Sequence, residues 1–125
     1  MNEYVFNSTG PDAIYLANIN IFFPVLFSLE LFKNGWPEHK FGSQTVLQND
    51  ADWYRQMYES GLTGNRLHIA ARKSARENLS GRIQKILRYA TVMADENDVK
   101  ALLNSGVVTY KTRKKARRTA KPAQS

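Results

Sequence analysis

Lys111, Arg113, Lys114, Lys115, Arg117, Arg118 and Lys121 place seven cations within eleven residues, with no acid among them. Such a run neutralises phosphates and displaces their counterions, whatever base sequence lies beneath. It is equally suited to an acidic protein surface or an anionic membrane. Residues 1–110 hold eleven basic and eleven acidic side chains, whereas residues 111–125 hold seven basic and none acidic. The net charge of +7 therefore resides in the tail. That exceeds what solubility requires. The expected ligand is a polyanion, with nucleic acid held without sequence preference as the first expectation.

A second set of cations, Arg72, Lys73, Arg76, Arg82, Lys85 and Arg88, recurs along one predicted helix, with Glu77 the only acid between residues 66 and 94. This face could track a phosphate backbone. Because the body is neutral, pairing with acids of neighbouring helices is the stronger expectation, and these six residues form a secondary basic face.

Other chemistry finds little support. A metal site needs three or four convergent ligands, and His39 and His68 are the only histidines of a chain without cysteine. Asp95, Glu96 and Asp98 lack the glycine and distal glutamate of a calcium loop and suit a helix N-terminus. "ESGLTGN" (59–65) has two glycines but no phosphate-cradling motif, and no GxSxG nucleophile pattern occurs. Trp53, Tyr54, Tyr58 and Tyr89 could stack on bases, yet no RNP-like pattern accompanies them, so core packing is expected. These readings predict a non-catalytic protein without metal or cofactor.

The elements that would carry these residues follow from spacing. Tyr4-Val5-Phe6 is β-prone and precedes Asn-Ser-Thr-Gly-Pro punctuation, which reads as an extended arm or short strand. A first helix is expected over about 12–33, with Ile14, Ala17, Ile21, Val25 and Ser28 as its stripe and Phe22, Leu29 and Phe32 beside it. Pro24 should kink or divide it near Phe23. Residues 36–42 read as a loop. Ser43 can cap a second helix over about 44–60, striped by Val46, Leu47, Ala51, Tyr54, Met57 and Tyr58. Leu67, Ala71, Ala75, Leu79, Ile83, Ile86, Ala90 and Met93 predict a long third helix over about 66–94. Asp95 can cap a short fourth helix over about 96–104. "VVTY" (107–110) is β-prone and could pair with the N-terminal strand.

The apolar run Ile19–Phe32 is too short and too interrupted by Asn20, Pro24, Ser28 and Glu30 to span a bilayer. No secretory signal is recognisable, and a cytoplasmic location is expected. Phe22, Phe23, Phe27, Leu31 and Phe32 crowd one short segment, which predicts self-association or a protein partner through the first helix.

Residues 35–107 also resemble a family of small uncharacterised bacterial helical proteins. The resemblance rests on Trp36-Pro37 before a helix, the turn from Gly61 to Gly64, the AxRxxARxxL run from Ala70 to Leu79, and "LLNSGV" (102–107), where relatives tend to have "LLSSGF". It implies an α-helical bundle and no established reaction. The basic tail departs from the family pattern.

The sequence reading is an all-α protein. Residues 1–110 form a compact up-and-down bundle of three main helices and one short one, with an extended N-terminal arm. Residues 111–125 form a disordered basic tail. The expected role is an accessory protein whose tail contacts nucleic acid. The alternative is a structural subunit of a larger assembly, with the tail on an acidic protein surface.

Overall fold

The computed structural model describes residues 2–62, 64 and 66–112. In chain order these form β1 (Asn2–Phe6), α1 (Asp12–Ser28), α2 (Glu30–Lys33), α3 (Glu38–Phe41), α4 (Gln44–Gly61), α5 (Arg66–Met93), α6 (Glu96–Asn104) and β2 (Val108–Thr112). The protein is predominantly helical, with one small two-stranded sheet.

α5 is the spine. Its 28 residues extend about 42 Å at 1.5 Å per residue. Leu79, Ile83, Ile86, Leu87 and Ala90 are buried along it. α4 packs antiparallel against α5 through Leu47, Ala51, Tyr54 and Met57, with Gly61 beside Arg72 and Asp50 beside Arg82. The ends of the expected α5 stripe are not core: Leu67 is 80% exposed and Met93 56%. α4 has ten fewer residues than α5, so it cannot cover the whole stripe.

The two strands pair antiparallel with Tyr4 opposite Tyr110 and Glu3 opposite Lys111. β1 lies along the second half of α5. Thr91 Oγ1 accepts from the Tyr4 backbone N–H at 3.2 Å, and Gln84 Nε2 donates to the Tyr4 carbonyl at 3.2 Å. β2 continues through Lys111 and Thr112, two residues past the expected start of the tail.

α1 departs from expectation in two respects. Its buried face is Tyr15, Ile19, Phe22, Phe23 and Leu26, while Ile14, Ala17 and Ile21 are exposed. The helix also runs through Pro24 without dividing. Pro24 and Asn20, the residue whose carbonyl it leaves without a helical donor, both face solvent, so water can serve that carbonyl.

The chain breaks instead at Leu29, which is extended at φ −72° and ψ 145°. Asp98 explains the break. This 3%-exposed carboxylate of α6 accepts from the backbone N–H groups of Glu30 and Leu31, each at 2.9 Å. A side chain 67 residues along the chain thus caps the first turn of α2, a duty usually met by the residue just before a helix.

The crowded rings of this region are accommodated within one chain. Phe22, Phe23 and Leu31 are buried, and Phe27 and Phe32 pack partly buried against the same core. Phe27, Phe32, Trp36 and Phe41 follow one another at centroid separations of 5.0, 4.8 and 5.4 Å. The segment read as a loop contains the single turn α3, and Trp36 Nε1 donates to the Gly42 carbonyl at 2.8 Å. Gly42 has φ +97°, the left-handed region that favours glycine, and a Cβ there would sit 3.0 Å from both Arg82 Nη1 and Val46 Cγ1, which would have to give way.

Candidate anion-binding surfaces

The first cation of the basic run, Lys111, lies within the sheet. Glu3, opposite Lys111, lies 3.9 Å from Arg88 of α5. Lys111 and Thr112 are thus joined to the second half of α5 through β1. Lys111 is exposed in β2. Arg113, Lys114, Lys115, Arg117, Arg118 and Lys121 lie outside the described residues.

The six cations of α5 do not form one face. Arg72 and Arg76 converge on Asp12 in the first turn of α1. Arg72 Nε stands 3.2 Å from Asp12 Oδ2, and Arg76 Nη1 stands 3.0 Å from Oδ1. Arg76 Nη2 also donates to the carbonyls of Ser8 and Gly10, each at 2.8 Å, and its guanidinium lies 4.4 Å from the Tyr15 ring centroid. On another side of α5, Arg82 pairs with Asp50 at 3.1 Å and donates to the Phe41 carbonyl at 3.2 Å. Four of the six thus bind the protein itself. Lys73 and Lys85 are exposed and make no ion pair among the described residues.

Asp12 is the centre of the best-formed polar network. Besides the two arginines it accepts from Tyr54 Oη at 2.8 Å. Burial acts to raise the Asp12 carboxyl. Hydrogen bonds from Tyr54 and Arg76, with the charges of Arg72 and Arg76, outweigh it and hold the group below its ordinary value. Tyr54 moves the other way: burial first, then its bond to the Asp12 carboxylate, push its hydroxyl far above the usual phenol range. Tyr15 Oη meets Ser80 Oγ at 2.8 Å, and burial raises that phenol too. At neutral pH the network is a fixed carboxylate held by two guanidiniums and a neutral phenol. The sequence begins a helix at about residue 12 but does not join Asp12 to Arg72, Arg76 and Tyr54, because no local spacing relates residues on three different helices.

Two surface cavities flank this arrangement. One, of about 810 Å³, opens beside Asp12 and is lined by Ser8, Ile69, Arg72, Lys73 and Arg76 among others. The second, of about 890 Å³, lies between α4 and α5 and includes Trp53, Asp50, Asn78, Arg82 and Lys85. Trp53 is 51% exposed, unlike Tyr54, which is buried, and Tyr58 and Tyr89, which are half-buried. Of the four aromatics expected in the core, Trp53 alone presents its ring to solvent.

His39 and His68 lie on α3 and α5, and among the described residues no three His, Asp or Glu side chains gather where they could hold a metal ion. No described helix is long and apolar enough to cross a membrane. No protein-family model, curated protein or solved structure matches the chain.

Proposed function

We propose that this is a non-catalytic binding protein. Its helices and two-stranded sheet, arranged as an up-and-down bundle, present the basic C-terminal run to a polyanion, nucleic acid held without sequence preference. The observation that carries this reading is the division of charge. The body's eleven bases and eleven acids cancel, and residues 111–125 add seven bases and no acid. Within the body four of the five arginines of α5, all but Arg66, stand in internal pairs, which lowers the body's competition for a polyanion. β2 holds Lys111, the first cation of the run, against β1, which packs on α5, and this supports a role for the body in aiming the run. Contacts from such a run go to phosphates and carry no base information. Fluorescence anisotropy with labelled duplexes of unrelated sequence tests this. Their affinities should agree within about threefold, since a single mismatched base pair in a specific site costs more. A strong preference for one sequence would contradict it.

A second reading, a subunit of a larger assembly, rests on a different observation. Leu62 and Leu67 are 67% and 80% exposed at one end of α5, and Val92 is 80% exposed near the other. Sedimentation velocity across a concentration series separates the two readings. A stable monomer that binds nucleic acid supports the first, and an oligomer indifferent to nucleic acid supports the second.

A further inference from the structure

The cleft beside Asp12 contains more positive charge than its own structure uses. Arg66, Arg72, Lys73 and Arg76 line it, against Asp12 and Glu77. Arg76 commits three of its five donors to Asp12, Ser8 and Gly10. Arg72 commits fewer. Its Nε faces Asp12, but its two Nη groups donate to no acceptor among the described residues. The guanidinium is nonetheless held in place. Its side chain is 20% exposed, Tyr58 lies beneath it at 5.9 Å, and a Cβ on Gly61 would come within 3.1 Å of Nη1. A fixed guanidinium fork with unused donors is the geometry that receives two oxygens of one anion.

The surrounding surface completes the site. Arg66, Ile69, Ala70, Lys73 and Glu77 follow the i, i+3, i+4, i+7 and i+11 spacing of a single helix face. Arg66 and Lys73 are exposed and make no ion pair among the described residues. Ile69 and Ala70 supply apolar surface between them. Four cations against two carboxylates leave two positive charges in the lining, and a phosphomonoester at neutral pH carries about that charge with the opposite sign. The volume of about 810 Å³ lies within the range of small-ligand sites, roughly 300–1,000 Å³.

We propose that this cleft binds a phosphomonoester whose organic part is small and apolar or planar, with the phosphate on Arg72 and Lys73 and the organic part against Ile69 and Ala70. The site is independent of the basic tail. The phosphate could belong to a free small molecule or to the 5′ end of a nucleic acid.

The test uses the full chain, isotopically labelled, with phenyl phosphate, phenol and inorganic phosphate followed by amide chemical-shift changes. Phenyl phosphate should perturb residues around Ile69 and Lys73 saturably, and more tightly than either fragment. Lys73→Gln and Arg66→Gln should each weaken it about threefold, the scale of an exposed charge pair. Glu77→Gln should tighten it by a similar factor. Arg72→Lys keeps the charge facing Asp12 but removes the fork, and should weaken binding about tenfold, the scale of one charge-assisted hydrogen bond. Its thermal melt shows whether the fold survives. Phenol binding as tightly as phenyl phosphate would overturn the proposal. So would shifts confined to residues beyond Thr112, or affinity unmoved by both Lys73→Gln and Glu77→Gln. Comparing a trinucleotide with and without a 5′-phosphate then identifies the source. Tighter binding of the phosphorylated form than of phenyl phosphate in this cleft upholds the site as one for nucleic-acid ends. The reverse order upholds it as one for small phosphomonoesters.

Discussion

Arg76 and Asp12 are joined at 3.0 Å, Nη1 to Oδ1, across 64 positions of sequence. Because Arg76 also holds the carbonyls of Ser8 and Gly10, this one contact fastens the link between β1 and α1 to the middle of α5.

The pair has a pH signature. The Asp12 carboxyl is held below its ordinary value in the fold. Its stabilising contribution is therefore complete above the unfolded value, about pH 3.9, and is lost as pH falls through the lower folded value. Asp12→Asn removes that dependence. Thermal melts from pH 6 down to pH 2 should show the mutant losing less stability than the wild type over the acidic part of the range. At neutral pH the mutant should be less stable by roughly 1–3 kcal/mol, the cost of leaving charged donors short of their partner. Parallel pH profiles would show that Asp12 is not the linked group.

Asp98 is expected to be the most sensitive acid in the protein. Asp98→Ala leaves the part-buried Glu30 and buried Leu31 backbone N–H groups without this acceptor and should cost about 2–4 kcal/mol, from roughly 1.5–3 per bond to a charged group, not fully additive. Asp98→Asn retains one acceptor oxygen and should cost less. Urea denaturation measures both. An unchanged midpoint in Asp98→Ala would mean that α2 does not depend on α6.

Burial along α5 makes a paired prediction. Leu79→Ala, at a position 3% exposed, should cost about 2–5 kcal/mol. Met93→Ala, in the same sequence stripe but exposed, should change stability by less than about 0.5 kcal/mol. Equal effects in thermal melts would contradict the core as placed here.

These cases also show what is legible in the chain. α4, α5 and α6 declare themselves because each has one apolar and one polar face, with caps at Ser43 and Asp95 whose side chains accept from Val46 and Asp98 N–H groups as their spacing predicts. The pairing of the two terminal strands was likewise legible from β-prone residues at both ends. The buried face of α1 was not. Ile14, Ala17 and Ile21 match a helical period as well as Tyr15, Ile19, Phe22 and Leu26 do, so periodicity had no polar face with which to choose. Nor could Pro24 be discounted from sequence, since its cost depends on whether the Asn20 carbonyl meets solvent or protein. The Asp12 network and the Asp98 cap join residues more than 40 positions apart, beyond any local pattern. The cations of α5 were legible as a set, but their division between internal pairs and solvent depends on which acids the fold brings to them.

The central claim is that the basic run supplies the sequence-independent hold on duplex nucleic acid. The most direct measurement is the salt dependence of duplex DNA binding by the full chain and by a full-length variant in which Arg113, Lys114, Lys115, Arg117, Arg118 and Lys121 are all replaced by glutamine. The wild-type log–log slope should fall between about −3 and −5, since each phosphate neutralised contributes roughly −0.9. The variant should keep its helical circular dichroism and have a slope near zero, with binding lost at moderate salt. A variant that binds as tightly as the wild type, with an equally steep slope, would place the interaction on the body and contradict the account.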